Sequence, residues 1–319
     1  MSEYLSTDPN AGLDDGYLST DPNAGLEPPK KSSALRRIAD VGVSLGKGVA
    51  SIPELAVGLA DIPTGGRVGK AVQDAGVDFK GIQRSISDLY SPEQQEANRK
   101  VQEAQGFGGT LKAAFQNPST IVGAVAESAP LLIPGMGVAR GLGGVTKLSG
   151  LARGAIGEGV TGAGLAAERT RQETDDGTLS AKQSLSAVGS GAGTALLGAA
   201  GGKVAQKLDI SDIDTFLAGK QVAPAIKQGF ARRLAGGALA EGVFEELPQS
   251  VQEQVWQNYA LGKPLDEGVA EAGAIGMLAG GAMGGAFSAL NRGQSAPQET
   301  LPKAEEILPT AASTIAAGF

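Results

Sequence analysis

Carboxylates are the side chains best placed for acid–base chemistry in this sequence. Glu241 and Glu245 stand four residues apart, with Glu246 beside the second, in the run EGVFEELPQ. Residues at i and i+4 share one face of an α-helix, and two carboxyl groups facing one cleft can serve as acid and nucleophile in glycoside cleavage. A sugar cleft also needs aromatic platforms, and Trp256 alone stands close by in sequence. The favoured reading is a solvated helix face on which these acids pair with Arg232, Arg233 or Lys263 across a helix hairpin. Glu241 and Glu245, with Trp256 and Tyr259 on the glutamine-rich helix that follows, are therefore interaction candidates, and no catalytic residue is assigned.

Other chemistries are limited by composition. The chain has no cysteine and no histidine, which removes disulfides, thiolate nucleophiles, cysteine-based zinc sites and the usual triad base. The stretch TGGRVGKA at 64–71 glances at a phosphate-binding loop. It fails, because Thr64 stands where the first glycine belongs and Ala71 where a hydroxyl is needed. No metal-binding or cofactor-binding residue is assigned. A net charge of −7 with one local basic patch, Lys30, Lys31, Arg36 and Arg37, argues against sequence-specific nucleic-acid binding.

The elements that position these residues are rich in glycine. Residues 272–290 carry no charge and repeat glycine every fourth position: Gly276, Gly280 and Gly284 fall on one helical face, the small-xxx-small pattern that lets helix backbones approach closely. Residues 183–202 mirror it, with Ser190, Thr194, Gly198 and Gly202 on one face. These seven are the predicted helix-packing residues. Each glycine costs a helix roughly 1 kcal/mol relative to alanine, so close packing must compensate. Both uncharged stretches approach the ~20 residues needed to cross a bilayer, soluble hairpin packing accounts for them equally well, and a conditional state, soluble in one setting and inserted in another, fits their marginal hydrophobicity better than either.

Forty-nine glycines and an aromatic share of 4% predict a core of small side chains, each gaining little from contact. The reading in chain order is all-α: glycine-rich helical hairpins between disordered N- and C-terminal tails. Residues 1–31 form a tail with the ten-residue repeat YLSTDPNAGL at 4–13 and 17–26, a segment with few large apolar groups; a disordered tail duplicated by chance is the favoured reading, and a duplicated docking peptide the alternative. Residues 32–116 form an amphipathic helical region. Ser32 or Ser33 caps a first helix with Leu35, Ile38, Val41 and Leu45 on its apolar side, restarted at Pro53 and ended by Asp61-Ile62-Pro63. One helix is expected over 72–90. Ser91-Pro92-Glu93-Gln94 then combines an N-cap, a first-position proline and a capping-box glutamine. Residues 117–292 form the glycine- and alanine-rich packing or membrane-active region, with kinked short helices or a re-entrant hairpin over 121–164 and a solvated loop over 168–183. Residues 293–319 are a second tail.

The run EGVFEELPQSVQEQVWQNYALGKPLDEGVAEAGAIGMLAGGAMGGAFSAL, residues 241–290, resembles a segment of internal virion or DNA-ejection proteins of tailed phages and of large multi-part phage and prophage proteins. The run 51–166, with SIPELAVGLADIPTGGRVGKA, SPEQQEANRKVQEAQGF and NPSTIVGAVAESAP, resembles the same family. Longer relatives often carry a peptidoglycan-cleaving transglycosylase domain, and none is recognisable here. The resemblance implies a non-enzymatic protein made in the host cytoplasm, held in the virion interior and ejected with the genome into the host envelope. It also implies partners: further copies of itself, other ejection or portal proteins, and the bacterial membrane. The alternative is a soluble helical scaffold or interaction module of a larger phage protein.

Overall fold

A computed structural model of the chain describes residues 34–207 and 235–290. The repeated peptide, Arg232, Arg233, the linker expected near 209–217 and the C-terminal tail lie outside the described residues. Those residues are helical, with no strand among them, so the all-α class holds. Eleven α-helices are named here: α1 (Ala34–Thr64), α2 (Arg67–Asp74), α3 (Phe79–Ser87), α4 (Pro92–Gln102), α5 (Gly106–Gln116), α6 (Pro118–Ser128), α7 (Leu132–Val145), α8 (Gly150–Gln172), α9 (Ala181–Lys207), α10 (Leu247–Leu261) and α11 (Val269–Leu290). A π-helix, Ala238–Glu246, runs directly into α10.

Several boundaries differ from expectation for local reasons. Pro53 does not restart α1, which is continuous over 31 residues with Pro53 on its exposed side. The helix expected over 72–90 splits because Gly76 takes a left-handed φ of 96° and Asp78 caps a new start, accepting the Gly81 N–H at 2.9 Å. Residues 168–172 are the last turn of α8 rather than loop. The stretch 118–145 is kinked as expected, its 3-10 turn at Ala129–Leu131 separating α6 from α7 beside Pro130 and Pro134.

At Ser91 the cap forms with an unexpected partner. Ser91 Oγ accepts the Gln94 N–H at 3.2 Å, but the Gln94 side chain turns to Asn98. The Ser91 backbone N–H goes instead to Asp40 on α1, whose other oxygen takes the Ser91 hydroxyl, both at 2.7 Å. Asp40 thus supplies the return arm of the capping box from another helix.

Helices α8, α9, α10 and α11 follow one another as antiparallel neighbours. Gly159 of α8 meets Gly191 of α9, Gly193 of α9 meets Gln252 of α10, and Gly276 of α11 meets Ser250 of α10. Helix α1 lies on α8 and α6, with Gly58 against Gly164 and Gly48 against the Glu127 carbonyl. At Gly48, Gly58, Gly159, Gly191 and Gly276 a Cβ would strike backbone or a side-chain stem, so these glycines set how near the axes come, whereas at Gly193 it would meet the amide end of Gln252.

What fills this interior is small or polar. Buried apolar positions are mostly alanine, as at Ala139, Ala155, Ala167, Ala187 and Ala274, and the largest fully buried side chains are Glu168, Asn258, Thr110 and Asp61. Few large apolar side chains join them, among them Leu55, Phe79, Tyr90, Val101, Leu151 and Leu179, and many others are exposed. Leu35, Ile38 and Leu45 are 79%, 68% and 41% exposed, whereas Asp40 and Ser44 on the same helix are buried. The apolar side of α1 predicted from Leu35, Ile38, Val41 and Leu45 is therefore mostly exposed, with Val41 half-buried.

Candidate functional site: polar side chains seated on glycine-faced helices

The glycine row of α11 is a row of sockets. Gly276 receives Ser250, Gly280 receives Glu246, and Gly284 receives Glu241, all from the α10 arm of the hairpin. Gly273, one turn earlier, receives Val251. Antiparallel register explains the order, since each step of about four residues down one helix is a step up the other. The predicted packing residues Gly276, Gly280 and Gly284 are thus occupied within the chain, and by polar side chains.

Glu241 and Glu245 are only 5% and 3% exposed, which corrects their placement on a solvated face. Lys263 is not their partner: its Nζ pairs with Glu173 at 2.8 Å, and that bond raises the lysine's pKa. The π-helix is the reason both acids turn inward. Its wider spiral alters the i, i+4 alignment that an α-helix would have imposed, and Glu241 lies on Gly284 of α11 while Glu245 lies on Gly201 of α9. The stem of Glu241 and the side chain of Glu245 thus pack on different helices. Gln249 bridges onward through long hydrogen bonds, its Nε2 donating to Glu245 Oε1 at 3.5 Å and to Glu158 Oε2 of α8 at 3.4 Å.

On α9, Ser190 and Thr194 are buried, as are Gly198 and Gly202. Thr194 Oγ1 donates to Glu253 at 2.9 Å, and Gln252 Nε2 donates to the Ser190 carbonyl at 3.2 Å and to Thr194 Oγ1 at 3.0 Å. Trp256 lies over Gly189, where its ring occupies the space of a side chain. Tyr259, expected inward, is 45% exposed. Its ring meets Trp256 edge-on with centroids 6.0 Å apart and carries Lys182 Nζ at 4.2 Å. Glu158, Glu246, Gln249 and Glu253 line an open crevice of about 440 Å³ that Thr161, Thr194 and Arg169 also border. Among the described residues no three acids converge as metal ligands.

The most enclosed charges were invisible to sequence reasoning. Arg171 near the end of α8 grips Glu168 with two nitrogens and reaches Asp61 of α1 at 3.2 Å, with side chains 4%, 1% and 0% exposed. Asp61 also accepts the Gly69 N–H at 2.8 Å, and Arg171 reaches Gln73 at 3.2 Å, so the cluster ties α1, α2 and α8 together. The i, i+3 spacing of Glu168 and Arg171 was the available signal. Their polarity placed them in a loop. At the far end Glu271 of α11 accepts the Gly106 N–H that opens α5, and that bond holds its carboxyl below the ordinary value. Tyr90, buried and bonded to Ser44 at 2.8 Å, has its phenol pushed up by that burial.

Compared with protein-family models, curated proteins and solved structures, the chain matches none.

Proposed function

We propose that this chain is a non-enzymatic internal virion protein of a tailed phage, ejected with the genome, whose helices associate with the bacterial membrane and assemble there into part of a path across the envelope. The observation that carries the reading is the burial pattern: an interior made mostly of small and polar side chains, with few large apolar ones such as Leu55, Phe79 and Leu151, while many large apolar side chains are exposed. In water such a surface calls for a cover, since contiguous apolar exposure marks membrane or partner contact. Among the described residues two stretches are long and apolar enough to cross a bilayer, Ala34–Thr64 and Pro118–Val145, with only 28% and 17% of their apolar windows buried.

Supporting features are the resemblance of 241–290 and 51–166 to ejection proteins, and the absence of cysteine, which leaves no crosslink to resist unfolding for passage through a tail. The glycine faces of α9 and α11 are used within the chain, so assembly between copies falls to the outward apolar faces. The test is co-flotation of the full chain with vesicles of phosphatidylethanolamine and phosphatidylglycerol, with cross-linking to read assembly size. Flotation with defined oligomers is the expected result. A chain that stays soluble and monodisperse overturns the reading and leaves the scaffold module in its place.

A further inference from the structure

Helix α9 carries on its outer side a feature that packing does not use. Its inner faces are spent on α8 through Gly191, on α10 through Gly189 and Gly193, and on the π-helix through Gly201. Its outer face presents Leu185, Val188 and Leu196, which are 71%, 45% and 73% exposed, with Ala192 and Ala200 between and beyond them. Between Lys182 and Lys203, both exposed, the sequence has no charged residue. At 1.5 Å per residue those two lysines stand about 31 Å apart along the axis, close to the ~30 Å depth of a bilayer's hydrocarbon. Lysines at both ends of an apolar stripe of that length can extend to the two headgroup layers.

The Lys182 end adds an aromatic pair. Tyr259 lies under the Lys182 ammonium, and Trp256 meets Tyr259 edge-on, the residue types that gather at membrane–water boundaries. Beneath them runs an apolar groove of about 430 Å³ bordered by Leu185, Val255, Trp256 and Leu265. Beyond this level the chain turns polar: the Glu173–Lys263 ion pair joins the α8–α9 turn to the α10–α11 turn. The order along the axis is therefore polar turns, lysine with aromatics, apolar stripe, lysine.

Building on the membrane-associated reading above, we propose that this outer face of α9 is the lipid-facing surface, with Lys182, Tyr259 and Trp256 at one phospholipid headgroup layer and Lys203 at the other. The occupant is phospholipid: acyl chains along Leu185, Val188, Ala192 and Leu196, and an anionic headgroup at Lys182. Trp256 is the chain's single tryptophan and reports its own depth.

The experiment uses the full chain on phosphatidylcholine–phosphatidylglycerol vesicles whose acyl chains carry bromine either near the glycerol or near the chain terminus. Trp256 fluorescence is expected to be quenched more by the shallow bromine. In the double variant Trp256→Phe/Ala192→Trp the order is expected to reverse, because position 192 lies midway between the lysines. Trp256→Phe/Leu196→Trp, on the same exposed face, supplies a second reporter if the first fails to fold, and is also expected to be quenched by lipid. If the variants float but their indoles answer only to aqueous acrylamide, the face meets water and this inference falls while membrane association stands. If the indoles are shielded from both quenchers, another copy covers the face, which also overturns it. If no chain floats, both this inference and the proposed function fall.

Discussion

The side chain that most deserves a test by substitution is Glu168. It is 1% exposed, receives two nitrogens of Arg171, and shares that guanidinium with Asp61 of another helix. Two carboxylates around one guanidinium hold each other in place only while all three charges remain, and removing one member of a buried pair costs about 3–5 kcal/mol because the other is left uncompensated. Glu168→Gln keeps the shape and removes the charge, so a urea melt is expected to show a loss in that range. Glu96→Gln, on an exposed i, i+3 pair with Arg99 in α4, is expected to leave the melt almost unchanged, because solvent screens the pair. A similar small loss for Glu168→Gln would show that the cluster is solvated. The contrast also explains why the cluster was unreadable in sequence. Glu168 and Arg171 have the same residue types and the same spacing as Glu96 and Arg99, and only the helices around them differ.

At the level of whole helices the glycines divide into two groups that sequence cannot separate. Gly58 faces the Gly164 carbonyl across the α1–α8 crossing, so a Cβ there has no room that a side-chain rotation could open. Gly46, on the same helix, has nothing within 4 Å of an added Cβ. Gly58→Ala is therefore expected to lower the unfolding midpoint, while Gly46→Ala raises stability by roughly 0.5–1 kcal/mol through reduced backbone entropy of the unfolded chain. Equal effects at both sites would mean that α1 does not cross α8 closely. The periodicity of Gly276, Gly280 and Gly284 was legible because small-xxx-small spacing survives in one dimension. What seats on them was not, since that depends on the register of the π-helix and α10. Ser91 shows the same division: serine, proline and glutamine announced the helix start, but Asp40, 51 residues away, supplies the bond expected of Gln94. The face of α1 was misassigned for a deeper reason. Assigning a helix face from its apolar residues presumes an apolar core, and here the buried positions of α1 include Asp40, Ser44, Gly48 and Asp61.

Taken as a whole, the molecule has an interior held by short reach and hydrogen bonds rather than by bulk. Alanine and glycine contacts gain little each, and the buried polar groups are largely satisfied by one another, as in the Thr194–Gln252–Glu253 and Asp40–Ser91 sets. Such an interior loses less on being pulled apart than a leucine core, because deleting a large buried side chain costs about 2–5 kcal/mol and few such side chains are buried here. Its outside, by contrast, has much to gain from cover: fully burying a leucine or isoleucine side chain is worth about 1.5–3 kcal/mol. This contrast predicts a separation of effects that an ordinary globular protein would not show. Replacing Leu35, Ile38, Leu45 and Val49 of α1 by serine is expected to move the unfolding free energy by no more than about 0.5 kcal/mol per site, as for surface substitutions, while vesicle flotation of the same variant drops sharply. The two quantities would be read on one preparation, by urea melt and by gradient. Should unfolding instead weaken by the several kcal/mol typical of core truncations, those four side chains are packed within the chain and this arrangement is wrong. Should stability hold and flotation persist, α1 lies outside the membrane contact and the burden passes to the outer faces of α6, α7 and α9. Under the ejection role proposed above, the separation matters for mechanism, because a protein unfolded for delivery that must bind its target afterwards is best built with its strongest apolar surface reserved for the destination.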